Sequence, residues 1–304
     1  MIILDPRLQD AITIFLAIVI EATPFIILGV LFSGTVGAFI KDEWILKFIP
    51  KNRFLSHLFT AFLGLFFPVC ECGNVPIVRK LLEKGFSPSQ TITFFLSAPI
   101  LNFVVIITTL TAFGGSPIVV LSRFAAGVLI AVIVGIIISF HPNQESFLTP
   151  LAVELCEHDH SHKKNYGLSQ ILKPQFFTSF LKEFWEMENL LIVGAAIAAG
   201  VQVFLSRDFV YTLNTHPLLA ILGMMTLAII ISVCSTVDAF VAFSYAKKFS
   251  PAPIVAFLII SPMLDLKAMS MLLTTYKPKL VGLIIILVIS LTILFSLGLS
   301  YLGY

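Results

Sequence analysis

The chain has 304 residues, 58% of them hydrophobic and only 12% charged, with a formal net charge of +2. Its mean hydropathy is +1.01. A soluble domain carries about 25% charged residues, so lipid must be the solvent for much of this chain, and the small, scattered positive charge argues against a nucleic-acid partner.

A helix needs roughly 20 mostly apolar residues to cross a bilayer. Eight apolar segments stand out, the first running from Leu8 to Phe39. The residues ahead of it, MIILDPRLQD, contain one Arg and two Asp. The run itself exceeds the roughly 7–15 residues of a secretory h-region, so it reads as a membrane helix and not as a cleavable signal. Glu21 lies in its middle, three residues before Pro24. A carboxylate at that depth can exchange a proton, which makes Glu21 the expected proton-coupling residue. Pairing with Arg123 or a backbone amide is the plainer alternative.

The second segment, Phe54 to Val69, leads into PVCECGNVP, Pro68 to Pro76. Two thiols, a carboxylate, an amide and a glycine are packed between two prolines. Proline breaks the helical ladder and Gly73 permits conformations closed to other residues. The pattern predicts a hairpin tip that presents Cys70, Glu71, Cys72 and Asn74 to a solute. A water-exposed turn is the alternative. With four cysteines in the chain, a disulfide framework is not expected.

The third and fourth segments run from Pro88 to Phe113 and from Pro117 to Phe140. Inside the third, Asn102 lies one turn after Pro99. Proline frees a carbonyl that can bind a cation, so Asn102 is a candidate substrate contact, or else a polar contact between packed helices. The one long polar stretch follows, from His141 to about Lys182. It carries Cys156, His158, His160 and His162, a pattern able to hold Zn or Cu, although short His tracts in loops are often incidental.

Segments five to eight run from Phe184 to Leu205, Pro217 to Val233, Pro251 to Leu273, and Leu280 to Leu302. Between six and seven lies a second candidate tip, Cys234, Ser235, Thr236, Val237 and Asp238, offering a thiol, hydroxyls and a carboxylate. Asp265 follows Pro262 as Asn102 follows Pro99. Two such tips meeting would form a pocket of soft sulfur and hard oxygen ligands, and thiolates select soft ions.

The halves repeat. Phe86-Ser87-Pro88 matches Phe249-Ser250-Pro251, and Pro99 to Asn102 matches Pro262 to Asp265 at the same offset. Cys72 falls opposite Ser235 and, with a one-residue gap, Asn74 opposite Asp238. Glu21 and Gly29 match Glu186 and Gly194. Internal repeats are common in transporters.

Cytoplasmic loops favour Lys and Arg. Eight simple spans would split the 19 basic residues ten to nine, giving no orientation. Turning each short tip back as a hairpin splits them fourteen to five. The expected architecture is therefore an all-α polytopic membrane protein of two inverted repeats, with eight main transmembrane helices plus two shorter hairpin helices, re-entrant or fully spanning. Residues 1–140 form the first repeat, 141–182 a cytoplasmic loop, and 183–304 the second repeat. Both termini are expected outside.

At PVCECGNVPIVRKLLEKG and FLSAPILN the sequence resembles the bacterial predicted-permease family that includes YraQ and the organoarsenical efflux permease ArsP, and SVCSTVDAF and SPMLD are similar to its second repeat. The likeness covers nearly the whole chain apart from the central loop. It implies a plasma-membrane permease, with efflux of thiol-binding trivalent organoarsenicals in one branch. Cys70, Cys72 and Cys234 would suit such a cargo, and a soft metal is the related option. Phosphate-loop, His-Glu-x-x-His and Gly-x-Ser-x-Gly motifs are absent, so neither an ATP-driven motor nor an enzyme is expected, and no cofactor. Partners are the bilayer, a small solute or ion, and a second copy or an accessory protein docked on the central loop.

Overall fold

The computed structural model describes residues 6–39, 50, 52–66, 70–150, 152–153, 174–204 and 216–303. Twelve α-helices lie among them, six before the central polar stretch and six after it. In the first half these are α1 (Pro6–Phe39), α2 (Arg53–Leu63), α3 (Glu71–Glu83), α4 (Pro88–Leu101), α5 (Phe103–Phe113) and α6 (Pro117–Ser139). In the second they are α7 (Pro174–Phe204), α8 (Pro217–Ile231), α9 (Asp238–Tyr245), α10 (Pro251–Met263), α11 (Leu266–Leu272) and α12 (Pro278–Tyr301). The described residues contain no β-strand; Leu148 and Tyr276 make one isolated antiparallel bridge.

Proline sets many of these boundaries. Helices α4, α6, α8, α10 and α12 each begin with it, where its fixed φ suits the first turn and its missing N–H costs nothing. Ser87 adds a full capping box with Gln90 at the start of α4. The two longer apolar runs that follow the tips both break after an internal proline. Asn102 caps α5 by accepting from the Val104 N–H at 3.0 Å, and Asp265 caps α11 by accepting from Lys267 N–H at 3.2 Å.

Five stretches are long and apolar enough to cross a membrane: Leu8–Gly34, Pro117–Ser139, Phe180–Val203, Pro251–Leu272 and Pro278–Tyr301. A sixth is the pair α4–α5, bent by 42° at Asn102. The second and sixth expected segments form shorter apolar helices, Arg53–Phe66 and Pro217–Ile231. The chain is thus a multi-pass, all-helical membrane protein. Helices α4 and α10 are buried along nearly their whole length and form the centre. Large apolar side chains such as Ile20, Phe66, Leu121 and Leu294 point outward, as lipid requires.

The helix ends gather in two groups. At one end the α3–α4 turn meets the segment after α6: Leu82, Gly85, Phe86 and Pro142, Asn143, Leu148 line a cavity of about 710 Å3. There Thr149 N–H donates to Thr275 O at 3.0 Å and Lys277 N–H to Phe147 O at 2.8 Å. At the other, the α5–α6 turn meets the α9–α10 turn: Phe113, Ser116 and Val119 face Phe249, Pro251 and Ile254 around about 230 Å3. Phe113 also meets Phe243 edge-on at 5.5 Å.

Candidate functional site

The two tips meet. Cys70 precedes the first residue of α3 and Cys234 lies in the α8–α9 turn, and both are buried. The Glu71 carboxylate accepts from Ser235 twice, from the backbone N–H at 3.1 Å and from the hydroxyl at 3.0 Å. A sulfur from Cys70, a sulfur from Cys234 and an oxygen from Glu71 all lie within 4.8 Å of one another. Cys72 lines the same small cavity as these two cysteines.

These groups surround a cavity of about 10 Å3, lined by Ile18, Glu21, Ala22, Cys70, Glu71, Cys72, Cys234 and Lys267. That is room for about one water-sized sphere. Glu21 is exposed and stands at its lip. Close helix packing builds the wall: a Cβ on Gly29 of α1 would come within 2.4 Å of the Gly73 carbonyl oxygen of α3. Only glycine at both positions lets α1 bring Ala22 against the first tip.

Beside the cavity two ion pairs form. Lys267 donates to Ser232 O at 2.8 Å and pairs with Asp265 at 3.3 Å. Asp265 also accepts from the Ser232 hydroxyl. Ser232 has φ 48 and ψ 44, a left-handed conformation that costs a non-glycine residue roughly 1–3 kcal/mol, and the Asp265–Lys267 pair holds it from two sides. Arg123 of α6 reaches across to the second tip, pairing with Asp238 at 2.7 Å while both are fully buried. Its other nitrogen donates to Thr109 at 2.9 Å.

Of the residues expected from sequence, Cys70, Glu71, Cys72, Cys234 and Glu21 line the cavity. Ser235 bonds Glu71 of the lining, Thr236 follows it in the α8–α9 turn, and Asp265 holds Lys267. Asn74 lies behind the tip, donating to Phe95 O at 3.1 Å, with its own oxygen buried and unpartnered. Asp238 is taken up by Arg123, which is why Arg123 is not the partner of Glu21. Asn102 caps α5 and does not line the cavity. Cys156, His158, His160 and His162 lie outside the described residues.

Sequence reasoning counted Lys267 and Arg123 among loop charges; both are buried in or beside the site. A cation two residues after Asp265 in an apolar run was the available signal. Removing both leaves the basic residues split thirteen to four in the hairpin arrangement. Glu188 was also missed. It is buried, accepts from Thr23 at 3.0 Å, and leaves its second oxygen unpartnered.

Comparison with known proteins gives a consistent result. Residues 7–301 match the model of a family described as predicted permease. A protein of Streptococcus mutans, provisionally named a two-component membrane permease complex subunit, is 37% identical over 281 residues, covering 91% of each chain. The UPF0718 protein YcgR of Bacillus subtilis is 37% identical over 285 residues, covering 94% of this chain and 95% of its own. No solved structure matches.

Proposed function

The chain belongs to the predicted-permease family, and from that premise we propose a secondary permease that passes a small thiol-reactive solute between two re-entrant hairpin tips. The carrying observation is the Cys70, Cys234 and Glu71 cluster, with donor atoms within 4.8 Å contributed by both halves. Soft sulfur with one hard oxygen suits a trivalent organoarsenical or a soft metal ion as cargo. Efflux across a bacterial plasma membrane is the direction assigned.

Helix lengths support re-entrant tips. With a rise of 1.5 Å per residue, Arg53–Phe66 and Pro217–Ile231 reach only about two thirds of a hydrocarbon layer roughly 30 Å thick. The polar tip backbone would then sit at depth, where irregular chain is tolerated only when enclosed by protein or facing water.

Two observations support inverted halves. Helix α4 starts at the end shared with Asn143 and Leu148, whereas its repeat counterpart α10 starts at the end shared with Ser116 and Val119. And Glu71 meets the second tip at Ser235, next to Cys234, the residue at its own repeat position. Such an arrangement suits alternating access. With the basic excess inside, the central loop is cytoplasmic and both termini are outside. Glu21, at the cavity lip, is the proposed proton-exchanging group.

Everted vesicles provide the test. Vesicles bearing the protein should accumulate methylarsonous acid faster than control vesicles, and Cys70→Ser or Cys234→Ser should remove the difference at equal protein level. Equal accumulation by wild type and control, repeated with soft metal ions, would reject the reading. The printed name of the Streptococcus mutans relative favours a second form, transport with an accessory subunit. Reconstitution of this chain alone separates the two.

A further inference from the structure

We infer that Cys70 and Cys234 form a reversible disulfide that ties the first tip to the second, so that the cluster is an oxidant-sensitive latch. The inference uses the site proposed for transport. Arrest of transport by the latch rests on that reading; the cross-link itself does not.

The geometry singles out this pair. Both thiols are free and buried, and their sulfurs lie within 4.8 Å of one another. Disulfide sulfurs sit about 2.05 Å apart, so forming the bond draws the two sulfurs together from a separation of at most 4.8 Å. Cys72 also lines the cavity, but its sulfur is not among the donor atoms that all lie within 4.8 Å of one another. Cys70 therefore bonds across the halves more readily than along its own helix. The Lys267 ammonium lines the same cavity and stabilises negative charge developing on sulfur during attack.

The chemistry balances with a peroxide as oxidant. One thiolate attacks hydrogen peroxide, taking one oxygen to become a sulfenic acid and releasing hydroxide, which its own proton converts to water. The second thiol then attacks that sulfur and expels the oxygen as water. Two thiols and one peroxide become one disulfide and two waters, and a thiol reductant reverses the bond by exchange. A bond between the tips holds Glu71 on Ser235 and prevents the separation that alternating access requires. Thiol reductants keep the latch open by exchange, and oxidative load closes it.

The full chain with Cys156→Ser retains three cysteines. A protease site in the polar segment 141–182 then leaves Cys70 and Cys72 on one fragment and Cys234 on the other. After hydrogen peroxide and proteolysis in membranes, the fragments should stay joined without reductant and part with dithiothreitol. Cys72→Ser should keep the joint; Cys70→Ser or Cys234→Ser should lose it. Mass spectrometry of the three-cysteine protein needs no cysteine variant at the tips, and should find the Cys70 and Cys234 peptides linked with two hydrogens lost. Fragments that part after peroxide, or a link through Cys72, would overturn the inference. In vesicles, methylarsonous acid flux should fall in proportion to the cross-linked fraction and return with reductant. Undiminished flux in cross-linked protein would overturn the latch. A protein that cross-links but carries no flux before oxidation counts against the transport reading alone.

Discussion

The Thr23 hydroxyl donates to the Glu188 carboxylate at 3.0 Å across the interface of α1 and α7. These two residues stand in the register that pairs Glu21 with Glu186 and Gly29 with Gly194, so each touches its own repeat counterpart. A residue can meet its counterpart only on the axis relating two copies. Glu71 bonds Ser235, one residue past its own counterpart Cys234. Glu71 lines the small cavity, and Thr23 follows Ala22, which lines it too.

Thr23→Val should expose how much that axis contact matters. Glu188 already has one unpartnered buried oxygen, and the change would orphan the other. An unsatisfied buried acceptor costs about 1–3 kcal/mol, so the detergent-solubilised protein should melt at a lower temperature. Glu188→Gln in the same background should recover part of the loss, since a neutral amide is easier to bury than a carboxylate. An unchanged melting temperature in Thr23→Val would show that the bond is not made.

Ser235→Ala should separate binding from assembly at the tips. The backbone N–H would still hold Glu71 at 3.1 Å, while the hydroxyl bond is lost, at about 1 kcal/mol. Modest destabilisation with retained arsenical tolerance is expected. Glu71→Leu removes the oxygen donor altogether and should abolish tolerance at equal protein level. Growth assays on a methylarsonous acid gradient, with immunoblots for protein level, provide the comparison.

Much of this was legible in residues whose chemistry is local. Cys70 and Glu71 announced themselves as polar groups between two prolines, and Cys234 and Ser235 as the polar start of a second tip between apolar segments; the structure joins them. Asn102 and Asp265 were found as a repeat pair, but their cap roles depend on where each helix restarts. Asp265 gained a further role only through Lys267 and Ser232, neighbours set by tertiary packing. The distinction between full spans and short helices was not legible either, because Phe54–Val69 and Pro217–Val233 have apolar composition whichever they form. Arg123 was counted as a loop charge and offered as a partner for Glu21, because nothing in its own segment reveals the carboxylate on α9 that neutralises it.

That Arg123–Asp238 pair should behave as a unit. Removing one partner of a fully buried ion pair leaves an uncompensated charge and costs about 3–5 kcal/mol. Arg123→Met should therefore lower stability severely. Asp238→Asn added to it should restore a large part, because the stranded charge is gone. A double-mutant cycle on melting temperature measures the coupling, and additive losses would mean that the two side chains do not interact in the membrane.

The Gly29–Gly73 crossing gives the sharpest packing prediction. A Cβ at Gly29 would stand 2.4 Å from a backbone oxygen and 2.6 Å from a backbone Cα, neither of which is a flexible side-chain end. Helix α1 would have to move off α3, carrying Ala22 and Glu21 away from Cys70. Overpacking of this kind typically costs roughly 1–3 kcal/mol. Gly282 is the control, since a Cβ there meets nothing within 4 Å and alanine gains about 1 kcal/mol of helix propensity. Gly29→Ala should lower both the melting temperature and arsenical tolerance, while Gly282→Ala should leave tolerance intact and raise stability slightly. Equal behaviour of the two variants would mean that α1 does not press against the tip, and the cavity would then lose one of its walls.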